Sequence, residues 1–221
     1  MRYIVYSTGD DTSFSKIIKG QAEKYSEFEL VELGSSGYKA AVLESLEGIE
    51  DEYICVIPPN NIPLNGPHTV KMDQLAEVAH HHNFDYVRMA RVSDKYPEEV
   101  GEHIFAEETD TFLLVPYMIK TDMFRDIVSR ITNKHDFLFW ASLETTGYSG
   151  IFYFNSFAQM PSNSLVYWKC DLLDVLSAVL TTAGRWNTQY VNFGEKPLEA
   201  LFSEYSIMSE ENGVGSEGCC S

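Results

Sequence analysis

The sequence has no long apolar run and few basic residues. No stretch approaches the ~20 consecutive apolar residues of a membrane-spanning helix. Lys and Arg together number 16 against 33 Asp and Glu, which gives a formal net charge of −17. Such a chain repels nucleic-acid phosphates and anionic membrane surfaces, so we expect no nucleic-acid partner and no membrane partner. One small basic pocket for a nucleotide stays compatible with this charge.

Several catalytic signatures are also missing. No GxGxxG follows a predicted strand, since residues 213–218 (GVGSEG) lie in the polar last segment, and the chain has no P-loop lysine motif and no GxSxG, which disfavours a dinucleotide enzyme, a P-loop ATPase and an α/β-hydrolase. Of the four cysteines, Cys55 lies in an apolar segment and Cys170 beside a Trp, so both are predicted to be buried free thiols. The opening MRYIVYSTGDD has too few apolar residues for a secretory signal. We therefore expect a cytoplasmic protein.

What is present indicates a folded chain. The hydrophobic content is 44% and the aromatic content 13%, enough for a sizeable core. We predict a single domain over residues 1–208. Residues 209–221 are polar, small and acidic, and are predicted to form a disordered tail.

The first 92 residues alternate between strand-like and helix-like segments. This β-α-β-α-β-α-β rhythm predicts an α/β fold with a mostly parallel sheet and helices on both faces. The predicted strands are 2–7, 28–33, 52–57 and 84–92, and the predicted helices are 10–25, 37–49 and 70–82.

The second half is less regular. An apolar segment broken by Pro116 predicts a strand over 111–119, and helical periodicity predicts a helix over 120–131 that is capped by Thr121 or Asp122. A short helix is predicted over 134–147. Strands are predicted over 150–157 and 164–170, and a helix over 171–186.

Polar and small residues follow the first three predicted strands. Ligands of open α/β sheets bind outside the carboxyl ends of the strands, so these residues are the candidates for a site. Thr8, Asp10 and Asp11 follow the first strand, and Asn60 and Asn61 follow the third. The same residue types also serve as turns and helix caps. The third loop, with Pro58, Pro59 and then Pro63, is stiff enough to hold the shape of a site.

Five segments occur in the order typical of one enzyme family. They correspond to a first strand with its base-binding loop, a strand ending in an acidic metal motif, the helix and strand that follow it, an acceptor-side strand and helix, and a Trp/acid segment. In this chain they read YIVYSTGDD, EDEYICVIPPNN, VKMDQLAEVAHHHNFDYVRMAR, FLLVPYMIKTDMFRDIV and HDFLFWASLE. On this order, residues 2–190 resemble a small GT-A-type glycosyltransferase of bacterial or viral glycan synthesis.

The resemblance implies a GT-A-like, Rossmann-like fold. Residues 1–92 would form a nucleotide-binding half, and residues 93–208 an acceptor half. The implied donor is a nucleoside diphosphate sugar, and the implied acceptor is a glycan or another hydroxyl compound. An oligomer is compatible with the sequence. The family places Mn²⁺ or Mg²⁺ on an acidic pair, and this chain has Asn60 and Asn61 at that point.

The missing acidic pair leaves three alternatives open, and no metal ligand is assigned. In the first, the enzyme is metal-independent and uses His68, Lys71 or Arg88 to stabilise the leaving phosphate. In the second, Asp10, Asp11 or Asp73 supplies the acids. In the third, the protein binds a sugar or nucleotide without turning it over.

A catalytic base is implied by the Trp/acid segment. An inverting transfer needs a carboxylate to deprotonate the acceptor hydroxyl, and Asp136 and Glu144 are the candidates. Both are also compatible with solvated helix carboxylates. Trp140 and Trp168 could stack on a sugar, or belong to the core. A non-catalytic binding or assembly module on the same fold is the alternative function.

Overall fold

A computed structural model provides the coordinates. It describes residues 1–9, 13–34, 37–89, 99–101, 104–106, 115–131, 143–144, 147–153, 156–162, 165–178 and 203–204. None of the helices in those ranges combines the length and apolarity needed to cross a membrane.

The described residues form twelve strands and four helices of defined bounds. The strands are β1 (Arg2–Ser7), β2 (Phe28–Glu32), β3 (Tyr53–Ile57), β4 (Asn61–Pro63), β5 (Tyr86–Arg88), β6 (Glu99–Gly101), β7 (Ile104–Ala106), β8 (Tyr117–Lys120), β9 (Gly150–Tyr153), β10 (Ser156–Ser162), β11 (Leu165–Cys170) and β12 (Val175–Ala178). The helices are α1 (Ser13–Glu23), α2 (Tyr38–Ser45), α3 (Thr69–His81) and α4 (Thr121–Arg130).

The larger sheet has eight strands in the order β2-β1-β3-β8-β5-β9-β7-β6. β1 pairs in parallel with β2 and β3, whereas β8 lies antiparallel between β3 and β5. β9 is parallel to β5, and β7 is antiparallel to both β9 and β6. Only β7 and β8 of these described strands therefore run against the common direction. The predicted α/β class with a mostly parallel sheet is confirmed.

Helices cover both faces of this sheet. The Tyr6 hydroxyl lies 2.9 Å from that of Ser45, and its ring contacts Phe124, so α2 and α4 share one face. From β1 the chain crosses to β2 on one side, and from β2 it returns past β1 to β3. Right-handed crossovers in opposite directions place α1 and α2 on opposite faces. Every residue of β3 is buried, as expected for a strand covered on both faces.

Two cations join α2 and α4 at their carboxyl ends. The Arg125 guanidinium of α4 donates to the carbonyls of Leu46 and Ile49, which follow α2. Lys39 of α2 donates in return to the carbonyls of Ser129 and Ile131 at the end of α4. Carbonyls in a last helical turn have no partner within the helix, and cations suit the negative end of the helix dipole. The two helices thus cap each other.

A smaller sheet has four strands in the order β10-β11-β12-β4, and its strands are antiparallel. Its last strand, β4, comes from the segment predicted to be a stiff loop. The predicted helix over 171–186 is wrong where the structure describes it, because Val175–Ala178 is a strand between β11 and β4. The apolar run there fits both periodicities, and pairing on both sides selected the strand.

The other predicted elements keep their type with shifted ends. The predicted strand over 111–119 begins at Tyr117, after Pro116, and α4 matches the predicted 120–131 helix. α4 is preceded by Lys120 as its N-cap, not by Thr121 or Asp122, and Thr121 instead donates its hydroxyl to the Asp51 carbonyl. The predicted 134–147 helix lies mostly outside the described residues.

Gly150 permits the close contact between β5 and β9. A Cβ at this position would lie 1.9 Å from the Tyr86 ring, which is itself buried and in contact with Tyr117. We expect Gly150→Ala to lower the free energy of unfolding by about 1–3 kcal/mol, because a buried ring has little room to move. Gly34→Ala is the matched control, since a Cβ there meets nothing within 4 Å. Urea unfolding of both variants tests this, and equal losses would contradict it.

Candidate functional site

The loops that follow β1 and β2 meet at the carboxyl edge of the larger sheet. The Leu33 amide donates to the Ser7 carbonyl at 2.8 Å. Gly9 has a φ of 70°, and a Cβ there would lie 3.2 Å from the Gly34 amide nitrogen. Only glycine adopts this conformation at low cost and allows this approach. The two loops are therefore held together by backbone contact, as their positions after parallel strands predict.

This edge contains a topological switch point. The connection from β1 leads to β2 on one side, and the next connection places β3 on the other side of β1. Loops that leave neighbouring strands toward opposite faces open a crevice between the strand ends, where open α/β sheets bind their ligands. The strand order therefore predicts a crevice between the carboxyl ends of β1 and β3. Thr8, Gly9 and the Pro58–Asn61 corner border it.

The Pro58–Asn61 corner turns the chain from one sheet into the other. The Asn61 backbone amide donates to the Pro58 carbonyl at 3.0 Å, and its side-chain amide donates to the same carbonyl at 3.1 Å. That side-chain amide also donates to the Asn60 side-chain oxygen at 2.8 Å. Asn61 is 0% exposed, and Asn60 is half-buried. Asn61 thus serves the corner itself, and a ligand at this point would meet Asn60 first.

Two side chains near the crevice were not predicted from sequence. The Ser15 hydroxyl lies 2.6 Å from that of Thr8 and is buried. Glu32 is the last residue of β2, and its Cβ would lie 3.5 Å from a Cβ placed on Gly9. The Glu32 carboxylate forms an ion pair with the Lys19 ammonium at 3.0 Å. The hydrogen bond that the Lys19 ammonium donates to Glu32 raises the pKa of Lys19. The sequence signal for Glu32 is its position as a carboxylate at the carboxyl end of a strand.

His68 and Lys71 lie where the two sheets join. His68 caps α3 by accepting the Lys71 amide, and its own amide donates to the Leu172 carbonyl at 2.9 Å. The Lys71 ammonium pairs with Asp171 at 2.7 Å. Both predicted phosphate-binding residues therefore hold the segment before β12 against α3. In this arrangement much of the charge of Lys71 is already neutralised.

Arg88 ends β5 at the same edge as the crevice. Its side chain is 1% exposed and is among the largest fully buried side chains of the described residues. A phosphate would have to enter the protein interior to reach the guanidinium. Its assignment as a phosphate ligand stays a prediction.

The remaining candidates are placed only in part. Glu144 has an exposed side chain, next to the buried Leu143. Asp10, Asp11, Asp136 and Trp140 lie outside the described residues, and Trp168 belongs to β11, of which only the backbone is described. Cys55 is a buried free thiol, as predicted, and burial raises the pKa of its thiol, which disfavours a nucleophilic role.

A surface cavity of about 440 Å³ lies at the opposite, amino edge of the sheet. It is lined by residues 49–52 and by Lys120, Thr121, Asp122 and Arg125. Its cations are engaged within the protein: Lys120 pairs with Asp85, and Arg125 with Asp122. This cavity includes none of the residues predicted to bind a nucleotide.

Comparisons with known proteins identify no family. No family model and no curated relative matches the sequence. A solved UDP-glucose pyrophosphorylase in complex with UDP-glucose is similar at 16% identity and a TM-score of 0.36, over 57% of this chain and 57% of that chain. An apo UDP-glucose pyrophosphorylase is similar at 15% identity and a TM-score of 0.37, over 57% of this chain and 55% of that chain. The alignment thus spans little more than half the length of either structure.

The two asparagines of the corner should respond differently to a carboxylate. Asn61→Asp removes both side-chain hydrogen bonds and buries a charge beside two oxygens, so we expect a loss of about 3 kcal/mol in the free energy of unfolding. Asn60→Asp keeps an acceptor for the Asn61 amide at a half-buried position, so we expect a loss below about 1 kcal/mol. Urea denaturation at pH 7 compares the two, and a similar loss in both would refute the structural role of Asn61.

Proposed function

We propose that the chain binds a nucleoside diphosphate sugar in the crevice between β1 and β3 and transfers the sugar to a glycan or another hydroxyl acceptor. The observation that carries this proposal is the switch point, with the Gly9 and Gly34 backbones in close approach beside it. Closely approaching backbone beside a switch point suits a ligand with a nucleotide moiety. The ordered resemblance to GT-A-type glycosyltransferases supports the transfer step.

The residues bordering the crevice have distinct proposed roles. Thr8, whose hydroxyl lies 2.6 Å from that of Ser15, and Asn60 border the crevice from opposite sides and are proposed as polar contacts to the nucleoside. Asp10 and Asp11 are proposed as further nucleoside contacts because they continue the same loop. Glu32 lies beside Gly9 with a carboxylate that can accept sugar hydroxyls once Lys19 moves aside.

The transfer itself needs one proton acceptor. A carboxylate takes the proton of the acceptor hydroxyl while the oxygen of that hydroxyl forms a bond to the anomeric carbon. The bond between the anomeric carbon and the diphosphate breaks, and the nucleoside diphosphate leaves with its electrons. Glu144 is our first candidate because its side chain is exposed and therefore accessible to an acceptor. Asp136 is the second candidate.

A non-catalytic binding module is the alternative. It is favoured by the commitment of polar groups to structure: Asn61 holds the corner, Lys71 pairs with Asp171, and Arg88 is buried. A protein that only binds a nucleotide needs no group to stabilise a leaving phosphate. Binding without turnover of the donor distinguishes this alternative.

Gly9→Ala should abolish nucleotide binding. A methyl group there strains a backbone at φ 70° and lies 3.2 Å from the Gly34 amide nitrogen, so it forces the loops after β1 and β2 apart and displaces the Thr8–Gly9 border of the crevice. Gly48→Ala is the matched control, because Gly48 has the same φ of 70° and nothing within 4 Å of a Cβ. In a thermal-shift screen of UDP, GDP, CDP and their sugars, saturating ligand should raise the Tm of the parent protein by about 5 °C or more.

The Gly48→Ala variant should keep that shift, and Gly9→Ala should lose it. Loss in both variants would indicate a general effect of backbone strain. Retention in both would place the nucleotide elsewhere, and no shift in the parent protein would overturn the proposed function.

Glu144→Gln should separate binding from turnover. Loss of a general base lowers the rate of sugar transfer or donor hydrolysis by about 10²–10⁴-fold, whereas nucleotide affinity should stay unchanged. Glu47→Gln, at an exposed position after α2, is the control. Release of nucleoside diphosphate, followed by chromatography, provides the measurement. A full rate in Glu144→Gln would transfer the role to Asp136, which Asp136→Asn then tests.

A further inference from the structure

The side chains of the Pro58–Asn61 corner make hydrogen bonds within the corner itself, at the point where the GT-A resemblance implies a metal. That resemblance implies two carboxylates at the end of this strand, and the chain has Asn60 and Asn61. The fit of a divalent cation at this corner therefore depends on whether these two amides can act as ligands. Mn²⁺ and Mg²⁺ are hard cations that bind oxygen, and carboxylates supply most of their protein ligands.

Asn61 cannot take this part without dismantling the corner. It is 0% exposed, and its side-chain nitrogen donates both to the Pro58 carbonyl and to Asn60. Turning the side chain toward a cation in the crevice would break both hydrogen bonds. The Pro58 carbonyl accepts from both the backbone amide and the side-chain amide of Asn61, and it would lose the second of these hydrogen bonds. A buried polar group that loses its hydrogen bond without gaining water bears a desolvation penalty, so this rearrangement is unfavourable.

Asn60 is the remaining donor at the corner, and it is neutral. Its side-chain oxygen already accepts from Asn61 at 2.8 Å. Among the residues that the structure describes, no group of three or more His, Cys, Asp or Glu is placed to hold a metal ion. The corner thus presents neutral amide oxygens where a site for a hard cation uses carboxylates.

Asp73, one of the alternative acids, is an exposed residue of α3, a helix that begins at Thr69, eight residues after Asn61. It does not belong to the Pro58–Asn61 corner, so it does not restore the carboxylate pair that the resemblance implies there.

We infer that nucleotide binding at the β1–β3 crevice does not require a divalent cation. This inference rests on the proposed function, because it concerns the same site. It rejects the metal that the GT-A resemblance implies, on the ground that the donor groups at the corner do not fit it. A bound diphosphate is then held by hydrogen-bond donors of the chain and not by a metal ion.

Calorimetric titration of the full chain tests the inference with the nucleoside diphosphate that gives the largest thermal shift. One titration contains 1 mM EDTA and the other about 1 mM MnCl₂, a concentration at which ordinary weak sites fill. We expect dissociation constants that agree within about threefold. A second readout is the EPR signal of free Mn²⁺. Nucleotide alone lowers this signal, and adding protein to the nucleotide should not lower it further.

Each outcome has one meaning. Binding in EDTA that matches binding in Mn²⁺, with no Mn²⁺ taken up by the complex, supports the inference. Binding only with Mn²⁺, or Mn²⁺ taken up by the ternary complex, overturns the inference and leaves the proposed function standing. Absence of binding under both conditions overturns the proposed function and the inference with it.

Discussion

The Asn61 carboxamide is the interaction on which the arrangement of the two sheets depends. Its hydrogen bonds to Pro58 and Asn60 hold the chain at the end of β3 in a tight turn. The chain then runs directly into β4, which forms the edge of the smaller sheet by pairing with β12. Because Asn61 is fully buried, the turn has no access to water as an alternative partner. A side chain that could not donate twice at this place would leave the corner unsatisfied.

The segment after β4 continues the connection between the two sheets. Leu64 donates its amide to the Asp174 carbonyl, and the Asp174 amide donates to Asn65 in return. Further along, the Lys71–Asp171 ion pair tethers α3 to the segment before β12. On the other side, Tyr25 after α1 donates to the Leu64 carbonyl. Contacts between the early and late parts of the chain therefore connect the two sheets. Lys71, which was predicted to bind a phosphate, serves this connection.

The switch point and the corner together decide what this edge can bind. The loops after β1 and β2 approach each other through glycine backbone, beside the switch point between β1 and β3. The corner that borders the same space presents amides and prolines, not carboxylates. A site with this composition favours recognition by hydrogen bonds over coordination of a hard cation. The crevice is thus compatible with nucleotide recognition, while its strongest polar groups are engaged in holding the fold.

The alternation of the first 92 residues determined the α/β class, the bounds of β1 and the types of the helices and strands around it. These elements have strong local signals, namely periodicity, caps and glycine ends, which act within a few residues along the chain. The sequence also determined that small and polar residues follow the strands. It did not determine that Asn61 and Pro63 belong to a strand, or that Val175–Ala178 is not helical. Those outcomes depend on pairing between segments more than one hundred residues apart, and only the tertiary structure brings β4 and β12 together. The same holds for two cations whose charges were visible in the sequence. Packing decides that Lys71 pairs with Asp171 and that Arg88 is buried.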